Sequence, residues 1–218
     1  MTAAPDDVRR EIIGVSQALD AAGLMPNKSG NVSCRTAAGF LITPSGVPYA
    51  ELTPAQLVEL PLTATQEPAG GPRPSSEWRM HRAIYAARPE VQAIVHTHSP
   101  RATALACAGR GLPAFHYMIA LAGGDVRCMP YATFGSDALA DHAVQGLEDR
   151  RAVLLANHGV VAVGATPRRA AAVAAEVENM AGQYLDLLAA GLQPQVLSDE
   201  EMAAVLAKFE DYGRIERR

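Results

Sequence analysis

The segment IVHTHSP, residues 94–100, sets His96 and His98 two positions apart in an otherwise apolar run. In an extended strand, residues i and i+2 point to the same face about 6–7 Å apart, so both imidazoles can reach one point off the sheet. A bound Zn²⁺ takes four ligands, or three with one position left for water or substrate when it is catalytic. The pair therefore needs partners elsewhere. His158, in the turn Asn157-His158-Gly159 between two apolar runs, is the third candidate. Gly159 lets the backbone bend or approach closely, and Asn157 can orient a neighbouring group. A histidine beside a turn also serves as an ordinary hydrogen-bonded residue, so spacing leaves both roles open. His81, His116 and His142 have no comparable mutual spacing, and His81 and His142 read as solvated or structural.

Glu77 follows Ser75 and Ser76 at the start of a helical pattern. A carboxylate there is favoured by free backbone amides and the helix dipole without any active site. Beside a metal it could also bind the ion and exchange a proton with substrate, reach coming first and a matched pKa second. The serines have two readings as well. Free amides and hydroxyls at a helix start suit a phosphate, and Ser29-Gly30-Asn31 and Ser45-Gly46 are two further small-residue turns. Ser, Gly and Asn dominate ordinary turns, so only convergence in space makes them a cradle.

These residues sit in a chain that alternates helical and extended patterns. Val8, Ile12, Val15 and Leu19 predict an amphipathic first helix, stopped at Gly23. GFLITPSG reads as a strand entering a turn, and LTPAQLVEL as a helix with Thr53 as cap and Pro54 at its first position. The Gly- and Pro-rich stretch 65–74 is a loop, and the next helix begins near Ser75 or Ser76 and ends at Pro89. VQAIVHTH and AVLLANHGVVAVG are apolar nearly throughout, as strands covered on both faces are, the second broken by the Asn157–Gly159 turn. Thr166-Pro167 caps a long helix closed by Gly191, and Ser198 with Glu201 forms a capping box before a last helix.

The chain has 218 residues, 49% hydrophobic and 19% charged, enough to bury one large core. A formal charge of −4 gives no electrostatic reason to expect a nucleic acid partner. The N-terminal stretch is charged and lacks the apolar core of a signal peptide, and no run approaches the length of a membrane span, so the expected location is cytoplasmic, with no membrane partner. Cys34, Cys107 and Cys128 are odd in number and far apart, which fits a reducing compartment and argues against a disulfide framework.

Taken together, SGNVSCR, LITPSGVPY, PSSEWRMH, VHTHSP, PAFHYMIA, PYATFG, NHG and LSDEEMAAVLAKFEDYG resemble the class II aldolase/adducin family over practically the whole chain. The resemblance implies a single three-layer α/β/α domain over residues 1–218 with a mainly antiparallel central sheet, assembled as a homotetramer with active sites between neighbouring subunits. It implies Zn²⁺ held by His96, His98, His158 and Glu77, with Glu77 also the acid/base. Tyr117, from a neighbouring subunit, is the second catalytic residue that it implies. Gly30, Asn31, Ser45, Gly46, Ser75 and Ser76 would hold a substrate phosphate, with Phe134 and a neighbour's Tyr212 on the aldehyde side. The implied activity is cleavage of L-fuculose 1-phosphate to dihydroxyacetone phosphate and L-lactaldehyde. Related aldolases act on 5-deoxyribulose 1-phosphate. Ribulose-5-phosphate 4-epimerases of the family usually carry Asp at the place of Glu77, and nonenzymatic adducin-like domains lack the complete metal set. Two departures are modest: Ser45 stands where close relatives often have Thr, and Asn157 where some have His.

Overall fold

The computed structural model describes residues 5–212, with side chains from 6 to 209. Helix α1 (Pro5–Ala21) buries Ile12, Val15 and Leu19 on one stripe, and Gly23 turns left-handed just beyond its end. Strands β1 (Asn31–Thr36) and β2 (Gly39–Ile42) form an antiparallel hairpin. The helix expected from LTPAQLVEL is absent. The Thr53–Gln56 capping box does form, but it closes only a short 3-10 turn, and Val58–Leu60 becomes β3, antiparallel to β2. The reason is burial: Val58 and Leu60 fill one face of the sheet while Glu59 stays exposed, a period of two that a helix cannot satisfy.

Helix α2 (Trp78–Ala87) starts two to three residues after the expected serines. It is followed by β4 (Ala93–Thr97), α3 (Pro100–Cys107), β5 (Arg127–Met129) and α4 (Asp137–Gly146). The apolar run around the Asn157–Gly159 turn is a hairpin of β6 (Ala152–Leu155) and β7 (Gly159–Gly164). Helix α5 (Pro167–Ala189) is capped by Thr166, whose side chain accepts from the Arg169 amide. Ser198 and Glu201 cap α6 (Asp199–Tyr212) reciprocally, as the sequence predicts.

The sheet has seven strands in the order β3-β2-β1-β4-β7-β6-β5. Every neighbouring pair is antiparallel except β5 with β6. Alternation along each strand splits the core in two. Val32, Val95, Leu154 and Ala162 face α1, α3 and α5, while Ile94, Val153 and Val161 face α2 and α4. The result is three layers, α/β/α, and β4 and β7 read as continuous apolar runs because both their faces are covered. Each large side chain removed from water this way stabilises the fold by about 1.5–3 kcal/mol.

Between β1 and α2 the packing is polar. Residues 77, 81 and 85 share one stripe of α2, and Asn31, Ser33 and Arg35 alternate onto the facing side of β1. His81 is fully buried, with Nδ1 2.7 Å from Ser33 Oγ, which lies 2.8 Å from the Tyr85 hydroxyl. Burial pushes the His81 pKa down to about 3, so it is a neutral structural residue. Cys34, Cys107 and Cys128 are all free. Among the described residues no helix is long and apolar enough to cross a membrane.

Two glycines let separate segments reach the C-terminal end of β4. A Cβ at Gly159 would lie 2.4 Å from the Thr97 carbonyl oxygen, and one at Gly30, where φ is +97°, would lie 2.5 Å from that of His96. Gly159→Ala is expected to destabilise the protein by about 1–3 kcal/mol, because backbone and not a yielding side chain stands in the way. Gly182→Ala on α5 is the contrast: its Cβ meets only Arg101 Cγ at 3.7 Å. Relief of the glycine penalty there is expected to stabilise by about 0.5–1 kcal/mol. Thermal unfolding of both variants checks the pair, and shifts of the same sign contradict this account.

Candidate active site

The C-terminal end of β4 presents His96 from its penultimate residue, and His98 follows one residue after the strand ends. In the sheet, His96 lies between Asn31 of β1 and Val161 of β7. Across the sheet, the β6–β7 hairpin pairs Leu155 with Gly159 and leaves residues 156–158 as its loop. Asn157 adopts φ 56°, a left-handed conformation that asparagine tolerates better than most residues, and its amide donates to the Ala106 carbonyl at 3.2 Å. That turn aims His158 back at the β4 histidines. Glu77 occupies the N-cap position of α2, yet its side chain makes no capping hydrogen bond. The carboxylate turns inward instead, so helix-start chemistry is not its use here.

His96 Nε2 lies 3.0 Å from Glu77 Oε2 and 3.0 Å from His98 Nε2, and His158 Nε2 lies 3.2 Å from Glu77 Oε1. The three imidazoles stand nearly perpendicular to one another, with ring centroids 4.8, 4.8 and 4.9 Å apart. One donor atom from each of Glu77, His96, His98 and His158 falls within 4.8 Å of all the others. Among the described residues no other group of three or more His, Cys, Asp or Glu side chains converges in this way.

This donor set fits a divalent cation. His96 Nδ1 lies 2.8 Å from the Val160 carbonyl, which can only accept, so Nδ1 carries a proton and the neutral ring turns a lone pair on Nε2 toward Glu77 and His98. Nitrogen and carboxylate donors that converge this closely suit a cation between them. Tetrahedral donors at Zn–N distances of ~2.0–2.1 Å stand roughly 3.3 Å apart, close to the spacings here. The electrostatics favour charge on the Glu77–His96 pair. Burial opposes ionisation of Glu77, but His96 and His158 outweigh it and hold the carboxyl well below the usual range. Burial also opposes charge on His96, which Glu77 nevertheless raises. His98 is pushed down to about 3 by burial, then by His96 and His158, and so offers a neutral ring.

A cleft of about 310 Å³ opens from this centre. Its far end is made by the three small-residue turns of the sequence, which the backbone ties together. Ser45 N donates to the Arg73 carbonyl at 2.9 Å and Ser75 N to the Thr43 carbonyl at 3.0 Å, so the Ser45-Gly46 and Ser75-Ser76 turns lie side by side. Gly30 and Asn31 complete the wall. The Asn31 amide is already engaged: Nδ2 donates to Ser75 Oγ at 2.9 Å and to Glu77 Oε2 at 3.1 Å, linking the two ends of the cleft. Phe134, 66% exposed, lines the open side.

Tyr117 is not brought to this cleft. It starts a short 3-10 helix, is 53% exposed, and lines a separate apolar cavity of about 560 Å³ with Met118, Val205, Lys208 and Phe209. The side chain of Tyr212 lies outside the described residues. The cleft also includes Lys28, Pro44, Tyr131 and Ala132, to which the sequence reading gave no role. Tyr131 and Ala132 stand within PYATFG, Pro44 within LITPSGVPY, and Lys28 directly before SGNVSCR, so proximity to a named motif was the available signal.

Comparison with known proteins agrees with this geometry. The Class II Aldolase and Adducin N-terminal domain matches residues 10–185. The chain belongs to this family. Among its relatives are a 5-methylthioribulose-1-phosphate/5-deoxyribulose-1-phosphate aldolase of Rhodospirillum rubrum, 46% identical over 94% of this chain and 92% of the relative. An L-fuculose phosphate aldolase of Escherichia coli K12 is 45% identical over 95% of this chain and 96% of its own. A solved structure of an L-fuculose 1-phosphate aldolase superposes with a TM-score of 0.89 at 40% identity, covering 96% of this chain and 98% of that one. Family membership and the His/Glu donor set make the protein a metal-dependent lyase of the class II aldolase type.

Purified protein is therefore expected to hold about one divalent metal ion per chain. Chelation should lower its melting temperature, and adding the metal back should restore it, since a ligand bound only by the folded state stabilises that state. His98→Ala and His158→Ala should both lose metal content. Elemental analysis with thermal unfolding measures this, and unchanged activity in demonstrably metal-free protein would contradict it.

Proposed function

We propose that the protein catalyses reversible cleavage of L-fuculose 1-phosphate to dihydroxyacetone phosphate and L-lactaldehyde, with Zn²⁺ as its metal, bound by His96, His98, His158 and Glu77. The observation that carries this reading is one cleft that joins a His/Glu donor cluster to three hydroxyl- and glycine-rich turns. Imidazoles are neutral and leave the ion's charge uncancelled, and when bound the metal supplies an electrophile that stabilises negative charge developing at C3 as the C3–C4 bond breaks. The protein's own groups manage position and protons. Ser45, Ser75 and Ser76, with Gly30, Asn31 and Gly46, hold the phosphate and fix the ketose along the cleft. Glu77, kept ionised by its histidine neighbours, takes the C3 proton of dihydroxyacetone phosphate in the aldol direction and returns one in cleavage. Tyr117, as its phenolate, would accept the C4 hydroxyl proton as the aldehyde leaves while protonated Glu77 delivers one to C3, and Phe134 and Tyr212 border the aldehyde.

Tyr117 can do this only in an assembly, because in its own chain it faces a different cavity. The reading therefore includes a homotetramer in which Tyr117 and Tyr212 complete a neighbour's site. A closed ring uses one heterologous contact repeatedly, so every site can draw on two chains.

A second reading, 5-deoxyribulose 1-phosphate as substrate, is favoured by the Rhodospirillum rubrum relative at 46% identity. The two sugars share the ketose 1-phosphate head and differ on the aldehyde side. Comparing kcat/KM for both, with L-ribulose 5-phosphate as a control, decides between them, and a margin of about tenfold or more is expected from such a difference. Epimerisation of the control without cleavage of either ketose 1-phosphate overturns the aldolase reading.

Glu77→Gln should slow solvent exchange of the C3 proton of dihydroxyacetone phosphate by about a hundredfold or more. NMR follows the exchange directly, and exchange at the parent rate would assign the base elsewhere. Tyr117→Phe should lose cleavage. Oligomers mixed from the two inactive variants should regain part of it, because some sites receive a good Glu77 from one chain and a good Tyr117 from the next. No recovery in verified mixed oligomers contradicts shared sites.

A further inference from the structure

The phosphate end of the cleft is built from neutral groups: serine hydroxyls, glycine and serine amides, and the Asn31 side chain. A phosphate monoester carries about −1.5 to −2 charge near neutral pH. Neutral amides and hydroxyls can hold such an anion, and a cation in the wall adds a charge-assisted contact that is stronger than a neutral one. Among the described residues lining the cleft there is one Lys or Arg, Lys28, and it stands beside Ser29 and Gly30 at this same end.

The backbone that carries Lys28 is held in place. Asn27 and Lys28 both lie in the left-handed region, at φ 56° and 63°. For a lysine that conformation costs about 1–2 kcal/mol, and glycine would avoid it. The surroundings impose it. Buried Tyr49 donates its hydroxyl to the Gly30 carbonyl at 2.8 Å, Ser29 N donates to the Pro26 carbonyl at 3.0 Å, and Gly30 is packed against the His96 carbonyl. Between these anchors the chain must turn left-handed, and the turn sets an exposed lysine at the mouth of the phosphate end. Residues held in a sparsely populated conformation by over-determining neighbours cluster at ligand sites.

We propose that the Lys28 ammonium is the charge partner of the substrate phosphate, selecting the dianion of a ketose 1-phosphate. The proposal rests on the aldolase reading above for its substrate, but not for its anion. Lys28→Met, with Lys28→Gln as a second neutral variant and Lys28→Arg as the charge-keeping one, tests it in the metal-loaded full-length protein. The first arm measures inorganic phosphate binding by calorimetry, and the second measures kcat and KM for L-fuculose 1-phosphate and 5-deoxyribulose 1-phosphate. The neutral variants should raise both the phosphate Kd and KM roughly tenfold to a hundredfold, as loss of a charge-assisted contact does. Their kcat should fall by less than about threefold, because the interaction is alike in ground and transition states. Lys28→Arg should recover most of the binding. Parental phosphate binding should weaken as pH falls through the phosphate's second pKa of about 6, and the neutral variants should show a shallower dependence.

Neutral variants that bind phosphate as tightly as the parent overturn the role of Lys28, and so does an Arg variant no better than Met. Parent protein that cleaves neither sugar phosphate rejects the aldolase reading instead, and the phosphate arm still decides on Lys28.

Discussion

Everything in this structure is arranged around the meeting of Glu77 and His96 at 3.0 Å inside a buried site. Two more imidazoles point at the same place, so four donor atoms converge within 4.8 Å of one another. A divalent cation suits that set, and an ion bound only by the folded state adds to its stability. The elements supplying the four donors must then be rigid. His96 comes from a central strand paired on both sides, His158 from a hairpin turn held by the Ala106 carbonyl, and Glu77 from the first residue before a buried helix.

The polar seam between β1 and α2 extends that constraint. Asn31 reaches Ser75 and Glu77, Ser33 reaches His81 and Tyr85, and Arg35 donates to the Tyr85 carbonyl and lies over its ring. A two-residue period on the strand thus meets a four-residue period on the helix along one line. Buried hydrogen bonds of this kind fix the rotation and depth of α2 more narrowly than apolar packing does, because a slip leaves groups unpaired. The carboxylate at the start of the helix inherits that precision.

The cleft has ends of different character. At one side, short turns laced by main-chain hydrogen bonds present small groups, and among the other lining residues Tyr131 and Phe134 are 60% and 66% exposed. Exposed aromatic rings beside the cleft and a separate apolar cavity around Tyr117 are surface of the kind that partners cover.

Local chemistry made several features legible without a fold. Thr166-Pro167 and the Ser198/Glu201 box start helices because their bonds span three residues, and the apolar runs of β4, β6 and β7 announce strands buried on both faces. The His96/His98 spacing marked a metal pair for the same reason, and the motifs around it marked the family. The helix expected after Thr53 shows the limit: its cap forms, but the edge of the sheet recruits Val58–Leu60, a decision made by β2 and by burial. The placing of Lys28 at the cleft was not legible, since the turn that carries it is fixed by Tyr49 and His96, which only folding brings beside it. Local sequence determines capping, periodicity and the kinds of side chain available, because those interactions act within a few residues. Tertiary structure decides which lone pairs and charges face one another, because that depends on distances between segments far apart along the chain.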